Sequence, residues 1–301
     1  MQKKILITGG SGLLAFNWAL STRSNYAVTL LLHHKKISLL GVETDIASLS
    51  SLDECSFILA KHQPDIVIHT AGLTNVEECE ANPDLAQEVN VDLAKNIAIA
   101  CSSQGVKLVH ISTDHLFSGD QEFSTEESST SPVNNYAKSK LLGEQQVLEN
   151  CKDALIIRTN FFGWGTKYRQ SFSDFILDKL KNNKQIDLFS DVFFTPILVG
   201  ELSKRTQQLI DLNAIGIFNI VSSKRISKYK FGIKLANCFN LDAGLINKAS
   251  INDKKNLVKR PMDMSLSNKK VCKILNCIMP SIDAQFQILK QSKAAKLLIE
   301  R

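Results

Sequence analysis

The chain has no apolar run near the roughly 20 residues that a membrane-spanning helix needs; its longest runs, such as Thr29–Leu32, are short. It has no CxxC pair. Its seven cysteines (55, 79, 101, 151, 238, 272 and 277) are scattered and odd in number. That leaves neither zinc spacing nor thioredoxin-like redox spacing, so no metal site is expected, and reduced cytoplasmic thiols fit best. Aromatic residues are scarce at 7%, with two Trp and four Tyr. No aromatic-basic module or motif for nucleic acid can be built from them. There is no internal repeat and no low-complexity segment. The start, Met1-Gln-Lys-Lys followed by Ile5-Leu-Ile, imitates a signal peptide, but Gly9, Gly10 and Gly12 interrupt the apolar region. With 44% hydrophobic and 22% charged residues, the composition is that of an ordinary globular protein. A length of 301 residues suits one large domain, or one domain with a smaller lobe.

The net charge of +6 conceals a split. Residues 1–150 hold 10 Lys+Arg against 18 Asp+Glu, net −8; residues 151–301 hold 26 against 12, net +14. A basic half suits nucleic acid, an acidic membrane surface or an anionic small ligand, or is simply a solvated surface.

In the first 160 residues, short β-branched runs alternate with helical patterns. Strands are expected at Lys4–Ile7, Ala27–Leu32, Asp65–His69, Val106–Ile111 and Ala154–Arg158. Helices are expected at Leu13–Leu20, Ser48–Lys61, Asn82–Gln104 (Leu85, Val89, Leu93 and Ile97 at helical spacing behind an Asn-Pro start) and Asn134–Asn150. Strands alternating with helices mean a parallel sheet covered on both faces. Ser118–Pro132 reads as a loop. Beyond residue 165 the pattern loosens: helices at Ser171–Leu180, Val199–Leu212 and Tyr229–Cys238, a strand at Ile215–Val221, and a helical tail from 291. The expected fold is α/β, a doubly wound Rossmann-type sheet over 1–165. Residues 166–301 add late sheet elements and a small, partly helical substrate lobe interleaved with the core.

Ile5-Leu-Ile-Thr8-Gly9-Gly10-Ser11-Gly12-Leu13-Leu14-Ala15 reads as strand, tight turn and helix start. Gly9 permits the turn, Gly12 admits a pyrophosphate to the backbone, and Ala15 lets helix and strand pack. The helix N-terminus, with Ser11 and Leu13, then holds the phosphates. After the second strand, where a carboxylate would bind the ribose 2′-hydroxyl of NAD, the chain has His33-His34-Lys35-Lys36. These groups suit a 2′-phosphate, so NADP(H) is preferred, with NAD(H) possible.

The fourth strand ends His110-Ile111-Ser112-Thr113-Asp114, and Tyr136-Ala-Lys-Ser-Lys140 follows. Tyr136 and Lys140 share one helix face. A cation beside a phenol favours its ionised form, and lowering its pKa by about three units takes roughly 4 kcal/mol. The set reads as proton donor (Tyr136), electrostatic tuner and ribose holder (Lys140) and substrate-oxygen anchor (Thr113) for carbonyl reduction.

On these residues the chain resembles the extended short-chain dehydrogenase/reductases, and among them the dTDP-4-dehydrorhamnose reductases and related nucleotide-sugar reductases. The resemblance runs from residue 1 to about 290. It is carried by His69–Thr74, Ser112–Phe117, Pro132–Glu144 and Arg260–Leu266. It implies adenine contacts at Asp45 and Ile46, and cofactor contacts at Thr70, Ala71, Gly72, Asn90, Ser112, Asn160 and Phe161. Thr74, Thr113, His115, Phe161 and Arg260 would meet the sugar nucleotide, Arg260 at its diphosphate. The implied reaction reduces a nucleotide-linked 4-keto-deoxysugar in surface-glycan assembly, by a cytoplasmic homodimer paired through helices 82–104 and 134–150. His115 stands where these reductases usually carry Tyr, and Phe161 where a Trp often lies against the sugar. The related 4,6-dehydratases carry Glu at the position of His115, so dehydration is disfavoured. Two alternatives accompany this reading: a non-catalytic NADP-binding regulatory subunit, since the methionine adenosyltransferase beta subunit resembles the same reductases, and a nucleotide-sugar epimerase of the superfamily. His69 and His110 are expected as core or strand-end residues, Cys272 and Cys277 as packing residues, and Trp164 either over the sugar or in the core.

Overall fold

The computed structural model describes residues 2–254 and 256–292; the proposed tail beyond 292 lies outside them. Six parallel strands come from the first 160 residues: β1 (Lys4–Thr8), β2 (Ala27–Leu32), β3 (Glu43–Ile46), β4 (Ile66–His69), β5 (Lys107–Ile111) and β6 (Leu155–Arg158). A seventh, Gly216–Asn219, returns from the second half and pairs with β6. The spatial order is Gly216–Asn219, β6, β5, β4, β1, β2, β3, so the fold is a doubly wound α/β sheet. The central strands β4 and β6 are buried along their whole length, because helices cover both faces. The apolar side chains fall into two large clusters, one containing Ile5, Ile7, Trp18 and Ile68, the other Leu6, Val67, Ile97 and Leu108. This is the alternation that strand geometry dictates.

The covering helices are α1 (Leu13–Thr22), α2 (Leu52–His62), α3 (Val76–Ala81), α4 (Pro83–Gln87), α5 (Leu93–Gln104) and α6 (Asn135–Asn150). Helix α2 begins later than the sequence pattern suggested, because Ser51 and Glu54 form a reciprocal capping box that fixes its first turn. The expected single helix 82–104 is interrupted by a π-helical turn at Glu88–Asp92 between α4 and α5. Its apolar spacing survives the interruption, which is why the periodicity read as continuous. The short edge strand β3 was missed altogether: Glu-Thr-Asp-Ile is mostly exposed and shows no alternation.

The second half supplies helices at Phe172–Lys181, Val199–Asp211, Lys228–Cys238 and Ile282–Gln291. Three two-stranded pairings brace this region: Phe161–Phe162 with Ile197–Leu198, Ile186–Phe189 with Ile246–Ala249, and Phe193–Phe194 with Ile226–Ser227. Phe162, Phe172, Phe194, Phe231 and Phe286 pack around one another there, mostly edge to face. Trp164 is buried in the main core, its ring against Phe239 and its carbonyl accepting from Asn17 of α1. No helix among the described residues is long and apolar enough to cross a membrane.

Candidate functional site

A cleft of about 700 Å³ opens at the carboxyl ends of the strands, where open α/β sheets bind ligands. Its near end is glycine-lined. Gly9 has φ +67°, and a Cβ there would lie 2.9 Å from the Ala71 backbone. A Cβ on Gly12 would lie 3.0 Å from the Gly9 carbonyl. Gly12 is the N-cap of α1 and leaves its first-turn amides without a side-chain cap. Those unpaired N–H groups and the helix dipole make an anion seat. The same end is bordered by His33 and Lys35, both exposed, and by Ala47–Ser50.

At the far end Thr113, Asp114, His115 and Tyr136 converge with Asn160, Phe161, Arg169 and Phe172. Tyr136 lies in the first turn of α6. Asn134 caps that turn by accepting from the Ala137 amide at 2.9 Å, while its own amide group donates to the Lys259 carbonyl at 2.9 Å. The Thr113 side chain stands by the Tyr136 hydroxyl. Burial pushes Tyr136 up to about 12, only partly offset by Thr113 and reinforced by Asp114. Tyr136 therefore holds its proton at neutral pH, the state a proton donor needs. Lys140 lies buried below, donating to the Ile111 carbonyl at 2.8 Å, and burial pushes it down to about 8.

Asp114 is fully buried, and burial pushes it up to about 6 against the pull of Lys228 and the hydrogen bond from Asn160 at 2.8 Å. Its neighbour His115 is pushed down to about 3 by burial and by the charges of Lys228 and Arg260, so it stays neutral. Below the cleft, Thr8, His69 and His110 stand side by side in register on β1, β4 and β5. His69 Nδ1 and Thr8 Oγ1 are 2.8 Å apart, and the two imidazoles stack at 5.4 Å.

Of the residues singled out from the sequence, the cleft brings together Gly9, Ser11, Gly12, Leu13, His33, Lys35, Thr70, Ala71, Gly72, Thr74, Thr113, His115, Tyr136, Asn160 and Phe161. Others stand off the lining. Asn90, in the π turn, spends its side chain on both backbone groups of Leu73 and on Ser139; it braces the strand-end loop. Lys140 and Ser112 lie beneath the surface. Asp45 is taken by Lys61 at 2.6 Å and His62 at 2.8 Å, and Ile46 is exposed on the edge strand; the lining passes to Ala47–Ser50 instead. His34 points its ring at His33. Arg260 makes a two-pronged ion pair with Glu77 at 2.6 and 2.7 Å. The sequence reading gave no site role to Asp114 or to Tyr168, Gln170, Ser171 and Phe172; of that stretch it set only Arg169, with Arg260, near the second anionic ligand. Asp114 follows Thr113 directly, which was the available signal; the rest depends on a loop that folds back from the second half, tied by Thr166 to Ser11 and by Tyr168 to Lys36.

A family profile, the RmlD substrate binding domain, matches residues 3–291. The chain belongs to this family. The probable low-salt glycan biosynthesis reductase Agl14 of Haloferax volcanii is 27% identical over 289 residues, 94% of this chain and 96% of that protein. The methionine adenosyltransferase 2 subunit beta of Rattus norvegicus is 28% identical over 250 residues, 80% and 73% of the two chains. Among solved structures, the dTDP-4-dehydrorhamnose reductase of Bacillus anthracis in complex with NADP superposes with a TM-score of 0.86 at 25% identity, covering 97% of this chain and all of that one. In this RmlD-family chain the glycine-lined end and the Thr113–Tyr136 end share one cleft, so a dinucleotide and a second ligand can meet end to end.

Proposed function

We propose that this RmlD-family protein is an NADPH-dependent oxidoreductase that reduces a nucleotide-linked 4-keto-deoxysugar for glycan biosynthesis. The observation that carries the reading is the cleft that joins a glycine-lined dinucleotide cradle to the buried side chains of Thr113 and Tyr136. The cradle fits the cofactor. The turn glycines leave room that a Cβ would fill, the α1 amides face an anion, and His33 and Lys35 border the end where a 2′-phosphate would sit. When bound, NADPH supplies the hydride for the carbonyl carbon. Thr113 and Tyr136 hold the carbonyl oxygen by hydrogen bonds, and Tyr136 passes its proton to that oxygen as hydride arrives, leaving an alcohol. Lys140, one turn on from Tyr136 in α6, would hold ribose hydroxyls and favour the phenolate once the proton has left. NADH remains a possible, weaker donor.

An NADPH-oxidation screen against a panel of nucleotide 4-ketosugars tests the reading. Turnover on one of them should fall at least 100-fold in Tyr136→Phe, within the range for losing a positioned acid, and comparably in Lys140→Ala. Undiminished turnover in Tyr136→Phe overturns the proton-donor assignment. The kinship with methionine adenosyltransferase subunit beta supports a second reading, a non-catalytic NADP-binding regulatory subunit. Tight NADP binding with no turnover on any sugar would favour it.

The same reading makes the chain a cytoplasmic homodimer. Its cysteines are all free, and the expected pairing helices carry exposed Leu85 and Leu142 on their outer faces. A monomer mass in light scattering at micromolar concentration would overturn the dimer.

A further inference from the structure

The seven thiols are unequally placed. Cys55, Cys79, Cys101 and Cys151 are buried, whereas Cys238, Cys272 and Cys277 are half-buried. Burial raises the thiols of Cys55 and Cys101 well above their ordinary range, which keeps them protonated and unreactive. Cys272 packs against the main core, as expected of it, while Cys277 belongs to no core cluster and is followed by the exposed Ile278.

The backbone sets Cys272 and Cys277 against each other. The helix Lys269–Ile274 is capped by Leu275, and Asn276 then turns into the left-handed region at φ +45°. The Cys277 amide donates back to the Cys272 carbonyl at 3.1 Å. A left-handed ending of this kind brings the third-last helical residue against the second residue past the cap, and their side chains commonly touch. Cysteines hold both positions. The covalent bonds on either side of that hydrogen bond keep the two Cα atoms within about 7 Å, a span that a disulfide bridges without moving the backbone. The Cys272 thiol is raised first by burial and then by the Cys277 thiol beside it, with the Arg205 charge opposing them.

The helix that ends on this pair needs support. It has six residues, too few to hold itself in water, yet it buttresses the outermost strand of the sheet, Gly216–Asn219. Lys270 donates to the Ile217 carbonyl at 2.7 Å, and its ammonium lies 4.4 Å from the centre of the Phe218 ring. Asn268, just before the helix, donates to the Val221 carbonyl at 3.2 Å, and Val271 is buried.

We propose that Cys272 and Cys277 are a modification site, a thiol pair that oxidises reversibly to a disulfide and so clamps the end of the helix Lys269–Ile274. The oxidant is a low-molecular-weight disulfide. The Cys277 thiolate attacks one of its sulfurs and expels a thiolate, leaving a mixed disulfide. The Cys272 thiolate then attacks the Cys277 sulfur and expels the second thiolate. Two electrons pass from the protein to the oxidant, and the expelled thiolates take up the two protons that the cysteines lose. Neither cysteine lines the cleft, so the proposal stands apart from the reductase reading.

The test uses the full chain, reduced and then equilibrated with oxidised and reduced glutathione at a series of ratios. After an acid quench, free thiols are alkylated in denaturant and the digest is read by mass spectrometry. A Cys272–Cys277 link should appear as the oxidised fraction rises and vanish with dithiothreitol, with Cys55 and Cys101 alkylated throughout. In Cys272→Ser, which lacks the second thiol, Cys277 should instead accumulate as its glutathione adduct. The oxidised wild type should melt about 2–5 °C above the reduced form, as closing a short loop implies, and Cys272→Ser should melt alike in both buffers. A wild-type pair that stays reduced at every ratio, or that stops at the glutathione adduct, overturns the proposal. A link that forms without raising the melting temperature overturns the clamp.

Discussion

Cofactor choice is decided by few side chains. His33 and Lys35 are exposed at the dinucleotide end of the cleft, with no carboxylate beside them on the lining. Replacing Lys35 with Asp should weaken NADPH by about tenfold or more and spare NADH, since a charge-assisted contact to the 2′-phosphate becomes a repulsion; paired fluorescence titrations measure it, and tighter NADPH binding in the variant would refute the role. At this scale the sequence was informative where chemistry is local. The Gly9–Gly12 turn, Thr113, Tyr136 and the basic run after β2 stand in one-dimensional patterns whose spacing already implies proximity. Asp114 and Lys228 do not. Lys228 reads as one more lysine in a basic half until folding sets it between Phe172 and Phe194; Arg169 was legible as a cation near the site, but not its contact with the Thr74 hydroxyl at 2.7 Å. Arg260 was legible as a cation but not as one already paired with Glu77.

Among the elements, α6 packs tightly against the π turn that braces the site. A Cβ on Gly143 would stand 2.3 Å from the Asn90 carbonyl. Asn90 in turn fixes the Leu73 backbone beside the cleft. Gly143→Ala should destabilise the protein by about 1–3 kcal/mol, as overpacking does, read by urea unfolding. It should also weaken NADP binding by displacing α6 from the turn, whereas a surface change such as Lys138→Ala should do neither. An unchanged unfolding midpoint would show that the helix can shift without cost. Helix α6 is further pinned to β6 by the buried Arg158–Glu144 pair, whose closest approach is 2.7 Å. A long helix with a good cap was readable from its sequence. The π turn was not, because one extra residue in a turn leaves the apolar spacing nearly intact.

For the molecule as a whole, three buried histidines govern acid stability. His69 and His115 are pushed down to about 3, and His110 well below its ordinary value, all chiefly by burial. Each takes up a proton in the unfolded chain below about 6.5 but not in the folded one. Their stabilising contribution is thus present above 6.5 and lost as pH falls towards 3. Asp114 acts oppositely: pushed up to about 6, it binds its proton more readily in the folded state between about 4 and 6. The balance is about two protons, so the unfolding free energy should drop by roughly 2–3 kcal/mol per pH unit between 6 and 4. Unfolding titrations at several pH values measure the slope. His110→Asn should reduce it by about one proton, and an unaltered slope would remove His110 from the account. The late strand Gly216–Asn219 also matters on the ribosome. It alone covers the outer edge of β6, whose four residues are all buried. A nascent chain shorter than about 216 residues therefore presents an unpaired, apolar strand edge to its neighbours. Chains truncated at residue 165 should aggregate during synthesis unless a chaperone shields that edge, while chains ending after 292 should not; comparing soluble yields of the two lengths would show whether the cofactor half can be made by itself.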